Sequence, residues 1–296
     1  MTQHLVVGIN GTIGSHLFAR LQSTEIGVWG TTHRPQHTQR ERVFHLNLLD
    51  PPSTWNFPPV KFDVAYLCAG ICRMALCEED PVGTAKTNID GMAALARRLA
   101  EDGTFIVYLS TNQVFFGDKP FALPNAPYQP LNEYGRQKAH VEQLIKTHSQ
   151  HWAIVRLTKV VEQNMVLIKN WLESFVDRKT IEAFHDMMLA PVSLREVIDI
   201  LIKIGQKKQT GCYQVSGEQD ISYFDLANYL ISYLKYPESL VIPVSAIDKG
   251  IKKIFLPQFT TLDCSSTIAL CGGKPPHFSA VVHECFDITV QTKSAV

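Results

Sequence analysis

The chain has 296 residues, of which 45% are hydrophobic, and its 28 basic side chains balance its 28 acidic ones. This length suits one large domain or a domain with a smaller partner. The charge balance argues against nucleic-acid binding, and no apolar run approaches the roughly 18 residues of a membrane span. The seven scattered cysteines favour reduced thiols in a cytoplasmic protein over a disulfide framework.

In chain order, the first half alternates short β-branched runs with stretches of helical length, which is typical of a parallel α/β sheet. The predicted strands are residues 4–9, 25–31, 42–48, 62–70, 104–111 and 151–157, and the predicted helices are 11–23, 84–103 and 132–148. The second half is less regular, with amphipathic helices at 193–205 and 222–234 among short strands and proline-rich loops. The pattern predicts a Rossmann-type, doubly wound parallel sheet over 1–157, completed by parts of 185–215, and a smaller C-terminal α/β region over 158–296 that mainly binds substrate.

The loop after the first predicted strand is rich in glycine. The segment GINGTIG places Gly8, Gly11 and Gly14 at three-residue intervals between a strand and a helix. Such a turn lets backbone amides approach a pyrophosphate at a helix N-terminus. The loop predicts a dinucleotide site, and the alternative is a tight turn with a packing glycine.

The end of the second predicted strand indicates which dinucleotide binds. NAD-binding units usually place an acidic residue about 20 residues after the glycines, where it holds the ribose 2′-hydroxyl. The segment VWGTTHRP has no acid, and it supplies Arg34 at this distance from Gly14. A guanidinium suits a 2′-phosphate by charge and by geometry. The sequence predicts NADP(H) as the preferred cofactor and NAD(H) as the second choice, with a plain surface arginine as the alternative.

Three cysteines near the fourth predicted strand raise the question of a metal site. Cys68, Cys72 and Cys77 lie close together, but no Cys-x-x-Cys pair or suitably spaced histidine accompanies them. The eleven histidines form no HExxH-like pattern. The sequence therefore predicts no metal site.

Tyr134 and Lys138 lie four residues apart in YGRQK and share one face of the predicted helix 132–148. Lowering a phenol pKa from ~10 toward ~7 requires ~4 kcal/mol of preferential stabilisation of the phenolate. An ammonium ~4 Å away supplies about that much at an effective dielectric of ~20, before desolvation is counted. Lys138 is therefore a physically adequate activator of Tyr134, although YxxxK alone is common on exposed helices.

Together these motifs resemble the extended short-chain dehydrogenase/reductase superfamily, and within it the dTDP-4-dehydrorhamnose reductase family. The resemblance runs nearly end to end, and it rests on GINGTIG, LCAGI, TNIDG, LSTNQVF, PLNEYGRQK, IVRLT, LAPVSLREVIDIL, GCYQVSGEQDISYFDLA and FTTLDCSST. It implies hydride transfer from a reduced nicotinamide to the ketone of a nucleotide-linked 4-keto-6-deoxy sugar. Dimerisation occurs among relatives, so we expect a monomer or homodimer, and the charge balance and hydropathy predict neither a nucleic-acid nor a membrane partner.

The resemblance implies a role for each matching residue. Thr111 would hold the substrate carbonyl, Tyr134 would donate the proton, and Lys138 would tune Tyr134 and contact the nicotinamide ribose. The other matches imply cofactor contacts: Gly8, Asn10, Gly11, Thr12, Ile13 and Gly14 at the pyrophosphate, Asn47 and Leu48 at the adenine, Cys68, Ala69 and Gly70 along the middle, and Asn88 behind it.

The two amides after Thr111 limit the classes of reaction that the site could catalyse. Related sugar-nucleotide 4,6-dehydratases resemble this region but carry an Asp-Glu pair here, because elimination of water needs groups that exchange protons. Asn112 and Gln113 cannot do this and would instead hold sugar hydroxyls. The reductase family usually reads Ser-Thr-Asp-Tyr-Val-Phe at this place, so the departure leaves the exact sugar open.

Two other functions fit the same resemblance. The regulatory subunit of methionine adenosyltransferase resembles this family and binds the cofactor while serving mainly as a partner for another protein. Thr111, Tyr134 and Lys138 favour an enzyme over that alternative. A sugar-nucleotide epimerase with tightly held NAD is the third hypothesis, which Arg34 disfavours.

Overall fold

The computed structural model describes residues 2–24 and 27–293. Its strands are β1 (Gln3–Val7), β2 (Gly27–Thr32), β3 (Val43–His45), β4 (Val64–Leu67), β5 (Phe105–Thr111), β6 (Trp152–Leu157), β7 (Lys159–Val161), β8 (Ile181–Phe184), β9 (Met188–Leu189), β10 (Pro191–Ser193), β11 (Gly211–Val215), β12 (Ile221–Ser222) and β13 (Val241–Val244). Its helices are α1 (Thr12–Gln22), α2 (Met74–Glu79), α3 (Pro81–Ala85), α4 (Met92–Glu101), α5 (Glu133–His148), α6 (Val166–Val176), α7 (Leu194–Lys207), α8 (Tyr223–Tyr233), α9 (Ser265–Cys271) and α10 (Phe278–Lys293).

A seven-stranded parallel sheet forms the centre of the fold, in the order β11-β6-β5-β4-β1-β2-β3. Every residue of β4 and β5 is buried, as expected for parallel strands that are covered on both faces. The order of the first six strands is the one that creates a ligand crevice beside β1 and β4. This arrangement confirms the predicted Rossmann-type sheet.

Helices cover the two faces of the sheet and bury separate apolar clusters. Leu17 of α1 and Leu201 of α7 lie in the cluster on one face, and Leu95 of α4 and Val141 of α5 lie in the cluster on the other. Burial of each such side chain contributes about 1.5–3 kcal/mol. A third cluster lies outside the sheet and includes Trp171 of α6 and Leu230 of α8.

The predicted strands and helices of the first half are present, with shifts of a few residues at their ends. Residues 25–26 of the second predicted strand lie outside the described residues. The predicted helix 84–103 differs, because a π-helical turn (Lys86–Gly91) separates α3 from α4. The prediction of only short strands and loops after residue 234 is wrong, since α9 and α10 lie there. Two further helices, α2 and α6, are absent from the sequence-based prediction.

One buried ion pair joins several of these elements. The Arg156 Nη2–Glu142 Oε2 distance is 2.6 Å, and the side chains are 1% and 0% exposed. Ser110 of β5 and Tyr128 also donate hydrogen bonds to Glu142. Arg156 Nη1 donates to the Pro124 carbonyl at 2.9 Å. The network therefore ties β5, β6, α5 and the loop that precedes α5 to one buried charge pair.

A second charged cluster lies between α7 and α10. Ser193 caps α7 by accepting from the Glu196 N–H, and its hydroxyl donates to Glu284 Oε2 at 2.9 Å. Burial and the nearby Glu284 carboxylate raise the pKa of Glu196 to about 7. Ionisation of Glu196 therefore opposes folding over the neutral range.

Within residues 2–24 and 27–293, every helix falls short of the length and apolar character that crossing a bilayer requires. Each of the seven cysteines is a free thiol.

We expect Glu142→Gln to lower the free energy of unfolding by about 3 kcal/mol, because the Arg156 charge is then left buried without its counterion. Urea denaturation measures the change. Asp102→Asn is the matched control, since it breaks the exposed pair of Arg98 and Asp102 and should cost less than about 1 kcal/mol. Equal losses of unfolding free energy in the two variants would show that breaking the buried Arg156–Glu142 pair costs no more than breaking an exposed pair.

The Glu196 pKa predicts a pH-dependent effect of Glu196→Gln. The carboxyl titrates near its ordinary value of 4.5 in the unfolded chain and at about 7 in the folded one, so its contribution to stability is lost as pH rises through 7. The amide should therefore stabilise the protein by about 1–2 kcal/mol at pH 8.5, after allowance for partial solvent screening, and by little at pH 4.5. Thermal unfolding at both pH values tests this, with the exposed Glu238→Gln as the charge-matched control. The same gain at both pH values would rule out the titration as its cause.

Candidate active site

The glycine loop lies at the carboxyl end of β1, and close backbone packing explains two of its glycines. Gly8 has φ +89°, and a Cβ there would lie 2.9 Å from Ala69. A Cβ on Gly14 would lie 2.3 Å from the Gly8 carbonyl oxygen, whereas one on Gly11 would have its nearest neighbour at 3.7 Å. Gly11 is the N-cap of α1 and offers no side chain to the first-turn N–H groups. That helix end is therefore suited to an anion.

The loop that carries Arg34 lies beside the glycine loop at the same sheet edge. The Gly8 and Ile9 N–H groups donate to the hydroxyl and the carbonyl of Thr31 in β2, at 3.1 and 3.0 Å. Arg34 is exposed and precedes a 3₁₀ turn (Pro35–His37). No acidic residue occurs between residues 27 and 40. The segment that carries Arg34 thus lies next to the glycine loop at the carboxyl edge of the sheet.

The residues expected along the middle of the cofactor follow β4 and reach α5. Gly70 has φ +152°, and a Cβ there would lie 3.2 Å from Asn88 Oδ1 and 3.9 Å from Lys138 Nζ. Asn88 accepts from the Ile71 N–H at 2.7 Å and donates to Gln137 Oε1 at 2.8 Å. Asn88 therefore fixes the loop after β4 to α5, and both ends of its amide are used in doing so.

Asn47 and Leu48 lie in the turn after β3. Asn47 Nδ2 donates to Asp50 at 2.9 Å, and its Oδ1 accepts from the Leu49 N–H at 3.2 Å. Leu48 is buried beside the π-helical turn, where a Cβ on Gly91 would lie 2.1 Å from the Leu48 carbonyl oxygen. The Asn47 amide is thus engaged within its own turn, and an adenine contact by either residue stays a prediction.

The three predicted catalytic side chains converge where β5 ends and α5 begins. Thr111 is the last residue of β5, and it shares a cavity of about 170 Å³ with Tyr134. Lys138 Nζ donates to the Leu109 carbonyl at 2.8 Å and lies 5.9 Å from the Tyr134 ring centroid. It also lies 4.7 Å above the ring of Tyr108. The structure therefore brings together residues that lie 27 positions apart in the sequence.

The electrostatics of Tyr134 differ from the sequence-based expectation. Burial raises the pKa of Tyr134 well above its ordinary value, and the neighbouring Cys72 raises it further. Burial also lowers the pKa of Lys138. Burial of the phenolate therefore decides the direction of the pKa shift and favours the neutral phenol of Tyr134. The neutral phenol is the form from which a proton can be donated.

The cavity beside Tyr134 has a largely apolar side that the sequence motifs do not reveal. Its apolar lining comes from Cys72, Met74, Met187, Met188, Leu189 and Tyr223. Thr158, Lys159 and Thr260 complete the wall. These residues come from several helices, strands and turns that only the tertiary fold brings together, and those outside the motifs of the resemblance are Cys72, Met74, Lys159, Met187 and Met188.

Asn112 and Gln113 line the cavity and also connect it to its surroundings. Asn112 Nδ2 donates to the Thr260 carbonyl at 3.5 Å, and its Oδ1 accepts from Thr111 at 3.3 Å. Gln113 Oε1 accepts from Asn132, the N-cap of α5, at 2.8 Å. A carboxylate at position 112 could not donate to a carbonyl. Neutral amides at this place therefore have a structural reason as well as a chemical one.

One carboxylate makes several of the hydrogen bonds that hold the segment containing Thr260. Asp220 accepts from the backbone N–H groups and hydroxyls of Thr260 and Thr261, at distances that include 2.6 Å for the Thr260 N–H and 2.7 Å for each hydroxyl. Thr260 then meets Asn112 on the other side of the cavity. This contact joins the C-terminal part of the chain to the end of β5.

The cysteines after β4 do not assemble with other ligands. Cys77 is buried and its thiol donates to the Ile71 carbonyl. Among the described residues, no three His, Cys, Asp or Glu side chains form a group that could hold a metal ion.

Comparisons with known proteins agree with this architecture. The family model for the RmlD substrate binding domain matches residues 2–290. The chain is 23% identical over 294 residues to methionine adenosyltransferase 2 subunit beta of Bos taurus, covering 95% of this chain and 86% of the relative.

Solved structures share the fold at low identity. The dTDP-4-dehydrorhamnose reductase of Bacillus anthracis in complex with NADP has a TM-score of 0.83 at 20% identity, covering 98% of this chain and all of the other. MoeE5 in complex with UDP-glucuronic acid and NAD has a TM-score of 0.81 at 14% identity, covering 99% and 100% of the two chains.

We expect Gly14→Ala to lower the free energy of unfolding by about 1–3 kcal/mol, because its Cβ would overlap a backbone carbonyl that cannot rotate away. Gly11→Ala is the matched control within the same loop, since its Cβ meets only an ordinary contact, and it should change stability by less than about 0.5 kcal/mol. Thermal unfolding of both variants measures the difference. Equal stability of the two variants would show that the loop is not packed as described.

Proposed function

Because the chain belongs to the RmlD substrate binding domain family, we propose that it is an NADP(H)-dependent reductase of a nucleotide-linked 4-keto-6-deoxy sugar. The observation that carries the proposal is the meeting of Thr111 and Tyr134 in one cavity, with Lys138 beside Gly70 of the cofactor loop. A hydroxyl, a neutral phenol and an ammonium at this edge of the sheet are the groups that ketone reduction needs.

Each side chain has a defined task in this reaction. The reduced nicotinamide supplies the hydride when it is bound. Tyr134 donates its proton to the oxygen of the forming alkoxide, and Thr111 stabilises the same oxygen by a hydrogen bond. The hydrogen bond from Thr111 to Asn112 is long at 3.3 Å, so the hydroxyl can turn toward a carbonyl at small cost. Lys138, held by the Leu109 carbonyl, stabilises the phenolate that remains.

The preference for NADP(H) over NAD(H) rests on charge. Arg34 follows β2 where an NAD-binding unit would place an acid, and residues 27–40 contain no Asp or Glu. Both cofactors occur among the solved structures of this fold, NADP in the Bacillus anthracis reductase and NAD in MoeE5. NAD(H) is therefore the second, less favoured cofactor of the proposed enzyme.

The apolar side of the cavity supports a 6-deoxy sugar as the substrate. Met74, Met187 and Met188 offer thioethers and methylenes, which suit a methyl group better than a hydroxymethyl group. The nucleotide-linked sugar is the proposed small-molecule partner, and a protein with seven free thiols suits the cytoplasm. Since Asn112 and Gln113 depart from the usual family residues, the sugar need not be 4-dehydrorhamnose.

A second candidate function is a cofactor-binding subunit that serves another protein. The similarity to the Bos taurus subunit extends over 95% of this chain. The cavity of about 170 Å³ is also smaller than the roughly 300–1,000 Å³ of typical ligand sites, which leaves little room for a nucleotide-linked sugar. This candidate shares the cofactor site with the reductase but requires no turnover.

We expect Tyr134→Phe to reduce NADPH oxidation by about 10²–10⁴-fold in the presence of the best nucleotide-linked 4-ketosugar, because the proton donor is removed. NADPH affinity should stay within about threefold of the wild type, since the ring is kept. Tyr236→Phe, which removes a hydroxyl from a tyrosine packed on Phe175 outside the cavity, is the matched control and should keep full turnover.

The same assay separates the two candidates. NADPH binding without turnover on any sugar of the panel would overturn the reductase proposal. Copurification of a defined second protein under those conditions would then support the subunit.

A further inference from the structure

His37 is joined to the glycine loop by a chain of hydrogen bonds with a fixed direction. Asn10 of that loop contacts Thr32 at the end of β2 through Oδ1, at 2.5 Å, and His37 Nδ1 through Nδ2, at 2.9 Å. The Arg34 N–H donates to Thr32 Oγ1 at 3.0 Å. Asn10 therefore bridges the pyrophosphate loop and the segment that carries Arg34.

The contacts of Thr32 decide which way the Asn10 amide faces. Thr32 Oγ1 has one hydrogen, and its candidate acceptors are Asn10 Oδ1 at 2.5 Å and the Arg34 carbonyl at 3.4 Å. A separation of 2.5 Å suits an O–H···O bond and is too short for an N–H···O bond. Thr32 therefore donates to the oxygen of Asn10, and the amide NH₂ faces His37.

The orientation of the Asn10 amide in turn fixes the tautomer of His37. The Asn10 NH₂ is a donor only, so His37 Nδ1 must be the acceptor. A neutral imidazole that accepts at Nδ1 carries its hydrogen on Nε2. Among the described residues, Nδ1 is the ring atom through which His37 is engaged. His37 thus presents an Nε2–H donor that is set by its neighbours.

His37 closes the short turn that follows Arg34. The turn Pro35–His37 is 3₁₀-helical, and the His37 N–H donates to the Arg34 carbonyl at 2.9 Å. Both residues therefore belong to one tight turn beside the glycine loop that Asn10 contacts.

We propose that His37 is a second specificity-determining residue for the ribose 2′-phosphate of NADP(H), donating from Nε2–H beside Arg34. Asn10 and Thr32 are positioning residues that hold the donor tautomer. The ligand group is a phosphate monoester, which accepts hydrogen bonds from both side chains, whereas the 2′-hydroxyl of NAD(H) gains little from them. This inference rests on the proposed use of NADP(H).

The test is the ratio of NADH to NADPH dissociation constants, measured on the full chain by fluorescence titration. His37→Asn keeps a polar group near the Nδ1 position and removes the Nε2 donor, so NADPH binding should weaken about tenfold while NADH binding stays within about twofold. His37→Gln places an amide donor near the Nε2 position and should restore most of the ratio. His33→Asn is the matched control for the loss of a neighbouring histidine, and it should leave the ratio unchanged.

A separate measurement tests whether Thr32 positions His37. Thr32→Val should lower the ratio several-fold while Thr32→Ser preserves it, and long-range ¹H–¹⁵N spectra should show His37 protonated on Nε2 in the wild type and in the serine variant. A wild-type ratio that His37→Asn leaves intact, or an Nδ1-protonated His37, would overturn the inference and leave the reductase proposal standing. A wild type that binds neither dinucleotide would overturn both.

Discussion

The geometry of the candidate site depends on the buried pair of Arg156 and Glu142. Ser110, which donates to Glu142, directly precedes Thr111, and Glu142 lies one helical turn beyond Lys138 in α5. The end of β5 and the middle of α5 are therefore joined through one carboxylate with a 0% exposed side chain. Arg156 neutralises that carboxylate and also holds the loop before α5 through the Pro124 carbonyl. A buried pair of this kind adds little net stability, but it strongly disfavours any arrangement in which either charge loses its partner.

Much of the fold could be predicted from the sequence because its signals are local. The strand of β1, the glycines that follow it and α1 lie within one continuous stretch, and Gly8 and Gly14 each have a backbone reason that the structure makes visible. The π-helical turn at Lys86–Gly91 could not be predicted, because apolar residues continue at helical spacing on either side of it. What sets this turn apart is the hydrogen bonding of Asn88 to Ile71 and Gln137, which only the tertiary structure brings together.

The candidate site also combines residues that the sequence predicts with residues that only the structure reveals. Thr111, Tyr134 and Lys138 stand in recognisable motifs, and their proximity follows from the adjacency of β5 and α5. The opposite wall of the cavity includes residues such as Met74 and Met187, which lie outside the motifs of the resemblance. The direction of the Tyr134 pKa shift could not be predicted either, because it depends on burial and on the neighbouring Cys72. The sequence identifies the ionisable side chains, and their burial in the fold determines the direction in which their pKa values shift.

The hydrogen bonds of Asp220 to Thr260 and Thr261 fix the position of one wall of the cavity. Two backbone amides and two hydroxyls share one carboxylate, and Thr260 also reaches Asn112 across the cavity. Neighbouring residues of the same segment form further hydrogen bonds to other parts of the chain, one of them from a backbone N–H to the Gly117 carbonyl. The wall of the cavity that Thr260 forms is therefore attached to the body of the fold at several points, and the carboxylate supplies part of that attachment.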